Sequence, residues 1–300
     1  MSLYAAVNNE CIELDKACIP LSEENRRYGI GVYETLKVRA GKIFFIEEHL
    51  ERLFHSADIV GLRVDVSPDT LRKRLREVVG MSGIQKHNVK IILVKKTDSS
   101  VDTYMYPSEI PWKSDHEYPE PVGLNAMIFH GERHFPQAKS LSMLLSTVAL
   151  GEAQKHDCWD AVLVDRDGEL CEGSRSNVYW FEGDEIYSPP TEKILSGVTR
   201  RHFIQALEMS GRQVHSGHLL LDDFYRNPRP LMLSSTSIGV QPVRQIKIIS
   251  KNTAQFPPTA DSTQLPPAAD SGQTETIDLP SDGQAEECAR CFIRYMQKIT

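Results

Sequence analysis

Four polar features stand among apolar neighbours in this sequence, and each is of a type that can do chemistry. Lys139, in FPQAKSLSMLLS, follows a turn and precedes an apolar helical run. A lysine held against apolar residues loses its proton more readily than one in water and can condense with a carbonyl. Glu172, in GELCEGSRSNVYWF, stands among small residues where one strand-like run ends and another begins. The stretch SGVTR, residues 196–200, is a glycine-containing turn feeding a helix. Such a turn aims free N–H groups and a positive dipole end at a ligand, and Thr199 adds a hydroxyl. Arg52 lies on the helical stretch EEHLERL. Each feature also has an ordinary reading. Lys139 can be an exposed lysine at a helix start, Glu172 a loop acid and SGVTR a plain helix cap. Arg52 can be the i,i+4 partner of Glu48.

Taken together, the four meet the needs of one cofactor, pyridoxal phosphate. A lysine holds the aldehyde. A carboxylate beside the pyridine nitrogen keeps it protonated, so the ring can accept electrons. A helix N-terminus and an arginine hold the phosphate.

Regular elements must carry these groups. GVYETLKVRAGKIFFI reads as a hairpin turning at Ala40-Gly41. Ile46, Leu50, Leu53, Phe54, Ala57 and Val60 recur with helical spacing, and Gly61 is a stop. A second helix is expected over 68–80, opened by Ser67-Pro68. NVKIILVKK and GLNAMIFH read as strands. Between them, residues 107–121 carry prolines and charges and read as a connecting loop. KSLSMLLSTVALGEAQKHD is expected to be helical, AVLVDRDGEL a hairpin about Asp167-Gly168, and SGVTRRHFIQALEMSG a helix. PLMLSSTSIGVQPV reads as strand, turn and strand.

The bulk properties narrow the function. The chain has 300 residues, a net charge of -7, 40% hydrophobic residues and 25% charged ones. These are values for a soluble globular protein of about two domains. The acidic balance argues against nucleic acid as a partner. No apolar run approaches the roughly 20 residues that cross a bilayer, and the first residues carry no secretion signal. Six scattered cysteines suit reduced thiols in the cytoplasm. Cys288 and Cys291 form one CxxC without a second ligand pair, so no metal is expected.

The expected layout is an α/β N-terminal domain over 1–118, then a connection and first strand over 119–132. A C-terminal α/β domain that binds the cofactor follows over 133–251. Residues 252–283, rich in Pro, Ser, Thr and Asp, are expected to be a linker without a core of their own. Residues 284–300 read as an amphipathic helix that docks on the core or meets a partner.

Over about residues 20–246 the chain resembles the class IV, or fold type IV, pyridoxal-phosphate enzymes. That family includes branched-chain and D-amino-acid aminotransferases and aminodeoxychorismate lyases. The resemblance is carried by RYGIGVYETLKV, EEHLERLFHSA, AKSLSMLLSTVALGEA, DAVLVDRDGELCEGSRSNVYWF, SPPTEKILSGVTR and SSTSIGVQPV, in family order. It implies two α/β domains with pyridoxal 5'-phosphate at their interface, in a homodimer. It implies Lys139 as the Schiff-base lysine and Glu172 at the pyridine nitrogen. Phosphate falls to Arg52, the backbone at Val198 and Thr199 and the hydroxyl of Thr236, helped by Ser235 or Ser237. Tyr33 is implied to face the substrate. The activity implied is transfer of an amino group between a branched-chain or D-amino acid and a 2-keto acid. The alternative is a lyase of the aminodeoxychorismate type.

The chain departs from the family where substrate is chosen. Gly29-Ile30-Gly31 replaces Gly-Asp-Gly, and Asn88-Val-Lys90 replaces the Tyr-x-Arg of branched-chain enzymes. Lys95, Lys96 and Thr97 stand where D-amino-acid enzymes carry Arg and then His. Lys90 and Lys95 are therefore the candidate partners of a substrate carboxylate, as point charges without a bidentate fork. The amino acid stays open.

Overall fold

The computed structural model describes residues 2–20, 28–97, 100–110, 120–249 and 274–299. Two sheets organise them. The first carries β1 (Tyr4–Val7), β2 (Glu10–Glu13), β3 (Gly31–Arg39), β4 (Lys42–Ile43), β5 (Lys86–Lys95) and β6 (Val101–Ser108). Its order is β2-β1-β6-β5-β3-β4, antiparallel throughout. The β3–β4 turn is the expected Ala40-Gly41, with φ of 47° and 73°. Positive φ at both turn residues matches the twist of a tight hairpin.

Two helices cover one face of this sheet. They are α1 (Ile46–Ile59) and α2 (Pro68–Ser82). The Ser67 hydroxyl accepts the Thr70 N–H at 3.2 Å, and Pro68 follows at the first helical position, so α2 starts where the sequence says. Leu50, Leu53, Leu71 and Leu75 pack from the helices onto Leu36, Val89 and Ile91. Strand β6 runs on through Pro107 and Ser108, within the stretch expected to be loop. On β6, strand β1 pairs with Tyr104 and Met105, so among the described residues Pro107 faces no strand on that side, where its missing N–H is tolerated.

The second sheet holds β7 (Leu124–His130), β8 (Asp160–Val164), β9 (Leu170–Gly173), β10 (Asn177–Glu182), β11 (Glu185–Ser188), β12 (Val214–Ser216), β13 (Leu231–Ser235) and β14 (Gly239–Ile249). Its order is β12-β11-β10-β13-β14-β7-β8-β9. Strand β9 also meets β10, through the single pair Glu172 and Asn177, so β10, β13, β14, β7, β8 and β9 close on themselves. Alternation along β10 divides its apolar residues. Val178 and Trp180 join one core with Leu231, Leu233 and Ile246. Tyr179 and Phe181 join another with Met232 and Phe203.

Outer helices cover the ring. α3 (Leu144–Lys155) lies over β8 and β7, burying Ala149 and Ala153. α4 (Val198–Glu208) packs on β13 and β14, and a short α5 (Leu221–Arg226) buries Phe224. α3 starts five residues later than a helix opening at Lys139 would. The preceding segment instead pairs with β3: Leu141 N–H donates to Gly31 O at 2.8 Å, and Tyr33 N–H to Lys139 O at 2.9 Å.

Within the stretch expected to be linker, Thr274–Asp278 forms β15, antiparallel to β14. The rest of that stretch, up to residue 273, lies outside the described residues. α6 (Gln284–Ile299) follows. Its Cys288, Ala289, Phe292, Ile293 and Met296 are buried against the α4 side of the ring. The apolar face of this helix is covered by the chain's own core.

Candidate active site

A cleft of about 410 Å³ opens between the two sheets. Lys139 lines it because its segment is pinned on both sides. Its carbonyl binds β3 through the Tyr33 amide, and its own N–H donates to Ser56 Oγ on α1 at 3.0 Å. Lys139 Nζ then lies 4.6 Å from the centre of the Tyr33 ring. The amine is held over an aromatic face, aimed into the cleft.

Glu172 lines the same cleft at the point where the ring of strands closes. Its Oε1 accepts from Arg133 Nε at 2.6 Å, and its Oε2 accepts the Leu195 N–H at 3.1 Å. Arg133 also donates to the carbonyls of Ala138 and Pro136, so it ties the acid to the turn before Lys139. Asn177, across from Glu172, donates through Nδ2 to Leu195 O at 2.8 Å. The small residues beside Glu172 have a packing reason. A Cβ on Gly173 would stand 2.1 Å from Ser176 Oγ and 2.6 Å from Asp160 Oδ2. Asp160 is fully buried and holds this loop through the hydroxyls of Ser174 and Ser176 and the Ala161 N–H. Burial pushes its carboxyl above the usual range, against those hydrogen bonds.

The third group is on α1. Arg52 does not pair with Glu48. Its Nε and Nη2 donate to the two carboxylate oxygens of Glu34 at 2.6 and 2.8 Å, and His49 Nδ1 lies 2.8 Å from the same carboxylate. Burial pushes Glu34 up, but Arg52 and His49 outweigh it and hold the acid well below the usual carboxylate range. His49 is pushed below its ordinary value by burial, against the pull of Glu34. The Arg52 Nη1 donates to Ser196 O at 3.1 Å, just before α4. No side chain caps α4, whose N-cap is Gly197. Gly197, Val198 and Thr199 line the cleft with Arg52, and a helix end of this kind leaves N–H groups for an anion. A Cβ on Gly197 would meet Asn177 Oδ1 at 2.1 Å, so glycine keeps this turn close to the Glu172 segment.

Val198, Thr199, Ser235, Thr236 and Ser237 line the cleft with them, as do Tyr33 and Lys90. Lys95 does not. It stands an odd number of residues from Lys90 on β5, so it takes the opposite face of the strand, and its assignment to substrate is corrected on that ground. Arg133 and Glu34 were not read from the sequence, and Asn88 only as a departure from the family pattern. Glu34 had a signal: a carboxylate on the strand face that also carries Val32 and Leu36. Asn88 had its even spacing from Lys90, and it donates to Ser237 Oγ at 3.1 Å. Arg133 had none.

An amine, a partnered carboxylate, a guanidinium and an uncapped helix end in one cleft are the donor set of pyridoxal phosphate. Residues 31–246 match the family model for class IV amino-transferases. The chain belongs to that family and is a pyridoxal-phosphate-dependent transaminase. A D-alanine aminotransferase of Bacillus licheniformis is 26% identical over 252 residues, covering 80% of this chain and 87% of that one. A branched-chain aminotransferase from Thermoproteus uzoniensis, solved with norvaline, shares the fold with a TM-score of 0.79 at 18% identity, over 99% of this chain and 96% of that one. A hypothetical aminotransferase from Mycobacterium tuberculosis in a PLP-bound form gives a TM-score of 0.76 at 19% identity, over 99% and 100%.

Proposed function

We propose that this transaminase moves an amino group between an amino acid and a 2-keto acid at the cleft between the sheets, with Lys139 as the residue that holds the cofactor. The convergence of Lys139, Glu172, Arg52 and the open end of α4 in one cleft carries the reading. When bound, pyridoxal phosphate supplies an aldehyde for the amino group and a protonated ring that draws electrons from the substrate Cα.

The chain's own residues do the rest. With the cofactor bound, Lys139 Nζ would hold its aldehyde and, once free, would serve as the base that takes the proton from the substrate Cα and as the acid that returns it. Tyr33 limits the path of that amine to the space above its ring. Glu172 keeps a proton on the ring nitrogen, and Arg133 and the Leu195 N–H fix the carboxylate for that task. Arg52 and the amides of Val198 and Thr199 hold the phosphate, with hydroxyls from Ser235, Thr236 and Ser237. Lys90, on the β5 face that lines the cleft, binds the substrate α-carboxylate.

A homodimer in the cytoplasm suits the surface. Leu144 and Val148, one turn apart on α3, are 78% and 48% exposed. An apolar face of that kind on the element after Lys139 fits a second copy of the chain. The six cysteines are unpaired, as in a reducing compartment.

A panel of D-alanine, L-leucine and L-glutamate with pyruvate or 2-oxoglutarate tests the activity. Turnover of at least one donor that consumes an acceptor mole for mole is expected. Turnover of a single substrate with no acceptor consumed would replace this reading with a lyase.

A further inference from the structure

One cation in the cleft is left without work by this scheme. Arg175 lies in the loop between β9 and β10, three residues after Glu172, and lines the cleft. Its guanidinium carbon stands 4.8 Å from the centre of the Trp159 ring, and Nη2 donates to Trp159 O at 3.0 Å. A guanidinium carries five N–H donors, so most of its hydrogen-bonding capacity is unspent. Among the described residues it forms no salt bridge. Asp160 is close enough to feel its charge, but the oxygens of that acid are taken by Ser174, Ser176 and the Ala161 N–H.

The other cations of the cleft are committed. Arg133 is bound by Glu172 and Arg52 by Glu34. Lys139 is kept for the cofactor and Lys90 for an α-carboxylate. Lys90 is on β5 of the first sheet and Arg175 is in a loop of the second, so different halves of the chain bring them to the cleft. A monocarboxylic keto acid needs one cation, and two suit a dicarboxylic one. The contact with the Trp159 ring and the bond to its carbonyl restrain the guanidinium before a ligand arrives, which reduces the ordering cost of binding.

We propose that Arg175, held by Trp159, is a specificity residue that binds the distal carboxylate of a dicarboxylic substrate of the 2-oxoglutarate and glutamate class. The assignment rests on the transaminase scheme above, with Lys90 at the α-carboxylate. The planar fork of arginine matches a carboxylate bidentately, which a lysine does not.

The test uses holoenzyme, wild type and the variants Arg175→Ala and Arg175→Lys, with one amino donor and either 2-oxoglutarate or pyruvate. In Arg175→Ala the KM for 2-oxoglutarate is expected to rise about 10- to 100-fold, the range for a lost charged hydrogen-bond pair. The KM for pyruvate and kcat are expected to stay within about twofold. Arg175→Lys is expected to recover part of the loss. Calorimetry with unreactive glutarate and butyrate gives a second readout: glutarate binding weakens in Arg175→Ala and butyrate binding does not. Equal losses for both keto acids would make Arg175 a purely structural residue and overturn the assignment. Unchanged 2-oxoglutarate KM and glutarate affinity would overturn it too, and would leave the transaminase scheme standing if pyruvate still turns over. A wild type that turns over neither keto acid overturns both.

Discussion

Arg133 Nε stands 2.6 Å from Glu172 Oε1, and the same arginine bonds the carbonyl of Ala138, next to Lys139. The acid and the amine of the cleft are thus set by one side chain. Both partners of the pair are largely buried, so removing one strands the other. Arg133→Leu is expected to cost roughly 3–5 kcal/mol of stability, the scale for breaking a buried pair. Urea unfolding measures it. A loss under about 0.5 kcal/mol would match an ordinary surface arginine instead.

Glu172→Gln keeps the shape and gives up the charge. The variant is expected to retain cofactor through dialysis and to transaminate at least about 100-fold more slowly, because an amide does not hold a proton on the ring nitrogen. Stopped-flow absorbance of the half-reaction reads the rate. Near-normal turnover would return Glu172 to an ordinary loop acid.

Gly197→Ala puts a methyl where Asn177 Oδ1 stands 2.1 Å away. The start of α4 or the Asn177 side chain must give way. Overpacking of this kind corresponds to about 10- to 100-fold weaker cofactor binding. Circular dichroism is expected to match wild type while fluorescence titration with pyridoxal phosphate shows the loss. Equal affinity would mean that the α4 end does not hold the phosphate.

The Glu34–His49–Arg52 cluster ties stability to pH. His49 is held below its ordinary value, so the unfolded chain takes up its proton first, and stability falls as pH drops below about 6.5. Glu34 is also held low, so its contribution is complete above about 4.3 and is lost as pH falls further. Both signs agree. Thermal melts from pH 7.5 to 5 are expected to show falling Tm, with a shallower slope in His49→Asn. Identical slopes would place the pH sensitivity elsewhere.

α6 is part of the core. Phe292 is 3% exposed and meets Phe203 of α4 edge-on, with ring centres 6.2 Å apart. Phe292→Ala is expected to cost about 3–5 kcal/mol. A cost near zero in urea unfolding would mean that the helix is free for another partner.

Much of what lines the cleft was legible because its groups sit beside strong local signals. Lys139 precedes an apolar run, Glu172 interrupts one, and Val198 follows a glycine turn. α1 and α2 were readable from spacing and from Ser67-Pro68. What local signals could not reach were partners distant in sequence. Arg52 looked like a mate for Glu48, one turn away, and instead binds Glu34, which only the packing of α1 on β3 brings near. Arg133 carries no mark of its role until the turn before Lys139 folds under Glu172. β15 lies in a polar stretch whose strand character comes from pairing with β14, not from burial. The start of α3 was misread because Lys139 to Met143 favours helix locally, and β3 claims its backbone.

The most direct measurement is where the cofactor attaches. Holoenzyme reduced with borohydride, digested and mapped by mass spectrometry is expected to carry the pyridoxyl group on the peptide containing Lys139, and the visible band of Lys139→Ala is expected to be absent without added amine. A pyridoxyl group on another lysine, or a visible band that persists in Lys139→Ala, would contradict the central assignment.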